Sequence, residues 1–169
     1  MNTTDVRDLK GKRAGAWFNG DFISVESNAF HRSAGIDPQG ARHFLPPDAV
    51  DEWLGEAVLN ALHCSRFLSL DEARVFFALR QIEPAYAAWR ESLMKRYGYK
   101  SKRLLFRNML HCTITSTDDT IEIKPTLHRE LEGWSGFPAE DEVESIVIPI
   151  ESSAAEIGAA VRMAFDRCH

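Results

Sequence analysis

Tyr97-Gly98-Tyr99-Lys100-Ser101-Lys102-Arg103, continued by Leu104-Leu105-Phe106-Arg107-Asn108 and by the run from Met109 to Pro125, is the stretch on which the fold turns. Its first residues end a helix, because Gly98 stands where a left-handed C-cap is expected and Lys95 and Arg96 suit the negative helix end. Beyond Asn108 the pattern changes to a period of two. Leu110, Cys112 and Ile114 fall on one face, with Ile121 and Ile123 on a partner strand. His111, Thr113, Thr115, Glu122 and Lys124 fall on the other. Asp118 and Asp119 serve the turn between them. One apolar and one polar face predict an antiparallel sheet with helices packed mainly on one side.

Toward the N-terminus, Tyr86, Trp89, Leu93 and Tyr97 mark the buried stripe of the helix that Gly98 ends, and Pro84 suits its first turn. Asp71 to Leu79 is apolar in its second half, and its Asp-Glu-Ala-Arg start favours helix over strand. Val50, Leu54, Ala57, Val58, Ala61 and Leu62 recur at helical spacing, with Asp48 as a candidate N-cap. Ser27 to Pro47, with Gly35, Pro38, Gly40, Pro46 and Pro47, shows no period and reads as a long irregular connection. Ala14–Asn19 and Phe22–Glu26 flank Asn19-Gly20, a strong hairpin signal.

Toward the C-terminus, Thr126 to Glu142 again reads as irregular, and Ser145 to Ile150 as a buried strand. Ser153 with Glu156 is a capping-box signature before the apolar stripe Ile157, Ala160, Val161, Ala164, Phe165 and Cys168. The sum is α+β: a mostly antiparallel sheet with several helices packed mainly on one side. The 169 residues are expected to form a single domain over 1–169, with 1–12 a loose N-terminus.

Composition narrows the function. Apolar residues make up 44% and charged residues 27%, a globular balance. No run of about 18 apolar residues or signal-peptide pattern appears, so no membrane association and a cytoplasmic location are expected. A net charge of −5 argues against general nucleic-acid binding and fits a basic partner. Cys64, Cys112 and Cys168 are far apart and read as buried reduced thiols.

No catalytic or metal motif stands in the chain. His111 and Cys112, as strand neighbours, point to opposite faces and cannot pair. The six histidines are scattered, so no metal and no cofactor is expected. Lys100, Lys102, Arg103 and Arg107 form a positive cluster; a solvated helix end pairing with nearby carboxylates is favoured over a grip on a phosphate or an acidic partner. Trp134, beside Gly133 and Gly136, is either an exposed anchor or a core plug under a loop.

The run from Tyr97 through Cys112 resembles the immunity-protein family of bacterial contact-dependent growth inhibition, the CdiI type. Matching features follow in order: Ile123 and Pro125, His128, Leu131, Trp134-Ser135-Gly136, Ile148-Pro149, and Ser152-Ser153 through Glu156-Ile157-Gly158-Ala159-Ala160 and Arg162 to Phe165 and Cys168. The likeness covers about Tyr86 to Cys168 well and the first half loosely. It implies a cytosolic protein without catalysis that binds and neutralises the C-terminal toxin domain of a cognate CdiA effector, commonly a nuclease. One mode it implies is β-augmentation, in which a toxin hairpin extends the immunity protein's sheet.

Toxin contacts are then expected in the least regular segments, Ser27–Pro47 and Thr126–Glu144. Glu140, Asp141, Glu142 and Glu144 are candidates for charge, and Trp134 and Phe137 for anchoring. Two other readings compete. One is a small hydrolase or nuclease using His111, His128 and Lys100; the other is a nucleic-acid module with Tyr97 and Tyr99 as stacking platforms. The oligomeric state is left open by the sequence.

Overall fold

In a computed structural model that describes residues 11–169, the quoted stretch supplies the middle of the sheet. Strands β1 (Arg13–Phe18), β2 (Ile23–Phe30), β3 (Ala34–Ile36), β4 (Arg42–Leu45), β5 (Arg66–Phe67), β6 (Leu110–Ser116), β7 (Thr120–Pro125) and β10 (Ile146–Pro149) form one sheet, and β8 (Leu127–Glu130) pairs with β9 (Gly133–Ser135) in a small second one. The main order is β10-β7-β6-β1-β2, with β3 and β4 both antiparallel to β2 at the far edge. β5 runs parallel to β2, beside Ala29 and Phe30.

The β6–β7 hairpin has the expected faces: Cys112, Ile114, Ile121 and Ile123 are fully buried in one core. The β1–β2 hairpin is also present. Gly20 takes φ +97° in its turn, a conformation that favours glycine. Asn19 donates to the Tyr99 hydroxyl at 2.8 Å and to the Leu105 carbonyl at 3.1 Å, tying this turn to the quoted stretch.

Two expectations of irregular chain are overturned. Ser27–Pro47 contains the end of β2 and all of β3 and β4. These strands are three and four residues long and are separated by a tight excursion over 37–41, too short for alternation to show. Ser27 holds the excursion, accepting from the Asp37 amide and donating to the Ala41 carbonyl, both at 2.9 Å. Thr126–Glu142 likewise contains β8, β9 and a 3-10 turn at Ala139–Asp141. The strand expected at Ser145–Ile150 is β10, but Val147 is exposed because β10 is an edge strand with one covered face.

Helices α1 (Asp51–His63) and α5 (Ala154–Arg167) lie together over the β6–β7 core. The Ser153–Glu156 capping box is formed. Asp48 is not the cap of α1: Val50 occupies that position without a side-chain bond. Arg162 of α5 reaches instead to Asp51 Oδ1 at 2.9 Å and to the Pro47 carbonyl at 3.2 Å. Helices α2 (Leu70–Phe76), α3 (Leu79–Tyr97) and α4 (Lys102–Phe106) follow a different path, and α3 and α4 pack on the opposite face over Trp17, Phe22 and Met109. Pro84 is not in the first turn of α3, which starts at Leu79. The exposed start of the helix lets water take the Arg80 carbonyl that a proline cannot bond. Gly98 does cap α3, at φ +72°.

The loose terminus expected over Met1–Lys12 falls mostly outside the described residues. Gly11 donates to the Ser116 carbonyl, and Lys12 Nζ to that of Ser65, both at 2.8 Å.

A buried carboxylate joins β2 to α3. Glu26 accepts from Arg42 Nε at 2.9 and 3.0 Å, from Trp89 Nε1 at 3.0 Å and from Ser24 at 3.2 Å. Burial pushes its pKa up to about 7 against the opposing pull of Arg42 and the hydrogen bonds. The folded protein therefore keeps a proton that the unfolded chain has lost above pH 4.5. Glu26's contribution to stability is full below about pH 4.5 and falls as pH rises to about 7, by about 3 kcal/mol. Denaturant titrations across this window are expected to show that Glu26→Gln removes this downward slope; an unchanged slope would assign it to other groups.

Candidate functional site

At the β3 edge the sheet does not end in open solvent. Ser69 starts α2 with a complete capping box to Glu72, and Phe77 and Ala78 turn the chain into α3. Phe76, Phe77 and Ile82 then stand against Gly35, where an added β-carbon would meet Phe76 at 3.2 Å. The gap between β3 and the α2–α3 corner is a cavity of about 660 Å³.

Ile36, Leu68, Val75, Phe76 and Ile82 give it apolar walls. Asp37, Arg66, Asp71 and Glu72 bring charge to its lining, and the buried Asp37 is held by Arg66 Nε at 2.6 Å and Nη2 at 3.0 Å. That bond raises the Arg66 pKa further, against its desolvation. The same segment of chain exposes Phe67, Leu70, Val75 and Leu79, the last with 69% of its surface in solvent. Of these Val75 lines the cavity itself, and an exposed apolar segment that continues from such a cavity is the mark of a contact site.

Backbone geometry adds hydrogen-bonding capacity. β3 is paired with β2 through Ala29 opposite Gly35. The Asp37 amide donates inward to Ser27, and the His31 amide to Ser33. By ladder alternation, Ala34 and Ile36 direct their amides and carbonyls to the unpaired side. An incoming extended segment can therefore find main-chain partners there, and apolar walls beside them. Of the residues that form this site, Ser27–Pro47 lay within a segment named from sequence; α2, Arg66 and Ile82 did not. The sequence signal for the second half was the Val75-Phe76-Phe77-Ala78-Leu79 run, too apolar for so short a helix.

The other nominated residues lie elsewhere. Trp134 is half-buried: its indole donates to the Met109 carbonyl at 2.9 Å and stacks on His128, with Phe106 at 6.0 Å. It anchors β9 to the α3–α4 core. Phe137 meets the His169 ring edge-on. Glu140 and Asp141 lie in the 3-10 turn, Glu142 follows at φ +51°, and all three are exposed with Glu144. Glu142 and Glu144 share a shallow cleft with Asp166 and Arg167, whose Nη1 donates to the Glu144 carbonyl at 2.8 Å. The acidic run is thus a continuous exposed patch, away from the cavity residues in sequence and sharing none of them.

His111 and His128 do not form a reactive pair. The His111 ring stacks on Trp17 at 4.4 Å, and its Nδ1 is sealed without a hydrogen-bond partner. Burial holds its pKa down to about 3, so it stays neutral. His128 Nε2 is engaged by the Leu131 carbonyl at 2.9 Å. Tyr97 lies face to face on Phe22 at 4.3 Å, and the Tyr99 hydroxyl is bound by Asn19 and Asp21. Tyr97 is thus stacked within the protein, and Tyr99 is fixed by its hydroxyl at the border of a surface cleft. Cys112 and Cys168 are buried free thiols with sulfurs 3.5 Å apart, while Cys64 is half-buried. Among the described residues no helix is long and apolar enough to cross a membrane.

An open strand edge beside an apolar cavity is equipment for holding another polypeptide, and it defines the class: an α+β protein-binding fold. The chain belongs to the CDI immunity protein family, whose model, CdiI, matches residues 12–168. It is similar to the immunity protein CdiI-YPIII of Yersinia pseudotuberculosis serotype O:3 (strain YPIII), at 38% identity over 173 residues, covering 95% of this chain and 97% of that one. Among solved structures it is similar to a chain of the CdiA-CT/CdiI toxin and immunity complex from Yersinia pseudotuberculosis, with a TM-score of 0.85, 34% identity, and coverage of 95% and 98%. A protein of unknown function from Neisseria meningitidis shares the fold at a TM-score of 0.88 and 29% identity, with coverage of 95% and 97%. The chain is therefore an immunity protein, which neutralises a toxin by binding rather than by catalysis.

Proposed function

We propose that this protein neutralises the C-terminal toxin domain of a cognate CdiA effector in the bacterial cytoplasm, acting as a single immunity domain, and that a toxin strand or hairpin enters the cavity and pairs with β3. The observation that carries this reading is that β3, paired with β2 on one side and with no strand on the other, lines the apolar cavity. The resemblance of the chain to the immunity partner in a toxin and immunity complex supports it. Main-chain bonds to Ala34 and Ile36 supply affinity, and the walls around Ile36, Val75 and Ile82 select the side chains that enter. A toxin that is a nuclease is basic where it holds phosphate, and an immunity protein of net charge −5 attracts it.

Co-expression with the adjacent CdiA C-terminal domain tests the proposal. Growth rescue and a stable stoichiometric complex are expected; no rescue and no complex, with the toxin confirmed active, overturn it. Glu140, Asp141, Glu142 and Glu144 contribute long-range attraction. Replacing all four by lysine is expected to slow association by about tenfold at low salt and to flatten its salt dependence. Unchanged association kinetics would remove this patch from the encounter.

A further inference from the structure

We infer that the face formed by the end of α3 and by α4 is a second docking surface, which takes an acidic polypeptide segment carrying an apolar side chain. Between Glu91 and Asp118 the chain has six cations and no acid, while the remaining residues hold 25 acids and 14 cations, a net −11. The fold gives two of these cations partners. Arg96 lies over the Phe44 ring at 4.7 Å, and Lys102 pairs with Glu132 at 3.1 Å. Lys95, Lys100, Arg103 and Arg107 are exposed and have no carboxylate partner among the described residues.

Lys100 and Arg107 border a cleft of about 380 Å³, together with the amides of Asn19 and Asn108 and with Asp21, whose carboxylate accepts from the Tyr99 hydroxyl. Leu104 also lines the cleft and leaves 41% of its surface in solvent. The cleft is large enough for a side chain, with cations at its border and an apolar contact beside them.

These features favour an acidic peptide over a nucleic acid. A polynucleotide backbone has no use for an exposed leucine, and Tyr97 already has a ring face stacked on Phe22. The protein's overall negative charge also opposes a long polyanion, whereas a short segment meets only the local field within roughly 10 Å. The surface is separate from the cavity: Tyr86 and Gly98 mark the two sites on α3, about 18 Å apart along the helix. The inference therefore stands whatever enters at β3.

Fluorescence anisotropy with the full chain and a labelled peptide, Asp-Glu-Glu-Leu-Glu-Asp-Glu, tests it at low salt. Saturable binding is expected, weakened about tenfold or more by the double variant Lys100→Glu/Arg107→Glu and several-fold by Leu104→Ser. All three positions are exposed, so the variants should keep the wild-type melting temperature, measured alongside. No peptide binding, or binding indifferent to both variants, overturns the inference. So does tighter binding of a single-stranded oligonucleotide of equal charge, which would assign the surface to nucleic acid.

Discussion

Gly158→Ala is expected to destabilise the protein by about 3 kcal/mol, lowering its melting temperature by roughly 6–12 °C. The cause is the way α5 meets α1. A β-carbon on Gly158 would stand 1.9 Å from the Asp51 carbonyl oxygen, and one on Gly55 would stand 1.7 Å from that of Ala154. The two glycines make a reciprocal pair on antiparallel helices, so each backbone lies in the notch left by the other helix's missing side chain. No rotamer change relieves the clash, because the obstructing atoms are backbone. The helices must separate by more than an ångström, loosening Leu54, Val58, Ile157 and Val161, all fully buried in the core. Gly55→Ala should cost a similar amount, and the double variant less than the sum, since both relieve themselves by the same separation. Denaturant melts decide the matter: a loss under about 1 kcal/mol for either single variant would show that the helices part easily.

Val75→Asp is expected to weaken toxin binding by about 3 kcal/mol, more than a hundredfold, and to abolish growth protection while leaving the fold intact. Val75 lines the cavity yet has 58% of its surface in solvent, so an aspartate there is hydrated in the free protein. Occupation by an apolar toxin segment would strip that water and leave the carboxylate without a cation, because Arg66 is already engaged by Asp37. The measurement is calorimetric titration with the cognate toxin domain, together with growth protection. Wild-type affinity in a normally folded Val75→Asp protein would place the toxin elsewhere, with the exposed acidic patch of Glu140–Glu144 as the next surface to map.

The segments nominated from sequence differ in how legible they are. The acidic run Glu140-Asp141-Glu142 is exposed, as charge and turn residues together imply, since neither type is buried readily without a partner. The sequence leaves Trp134 open between anchor and plug, and the choice rests on an atom 25 residues away, the Met109 carbonyl. Ser27–Pro47 stands out in the sequence for its length and its glycines and prolines. Those residues do turn the chain, but they turn it between strands too short to show a period.

The positive cluster illustrates a different limit. The favoured expectation is that nearby carboxylates neutralise it, and Glu132 does so for Lys102 while also binding Arg90 and Tyr86. These three partners hold its pKa below the usual carboxylate value, despite partial burial. The same hub leaves nothing for Lys100, Arg103 or Arg107. One carboxylate, placed by the β8–β9 hairpin, decides which cation is structural and which remain available.

By itself the sequence determined the features that a few adjacent residues control. The β6–β7 hairpin and its two faces, the Gly98 cap of α3, the Ser153–Glu156 capping box and the Asn19-Gly20 turn all rest on short-range backbone preference and side-chain period. Tertiary structure alone decided the rest: the cavity at β3, the Asp37–Arg66 pair 29 residues apart, the Glu26–Trp89 bond 63 apart, and the Gly55–Gly158 approach of α1 to α5. Each of those joins residue types that are ordinary in their own neighbourhoods. They acquire meaning only when loop closure brings distant chain together, and the stability gained there depends on packing and desolvation at the contact, which no local pattern encodes.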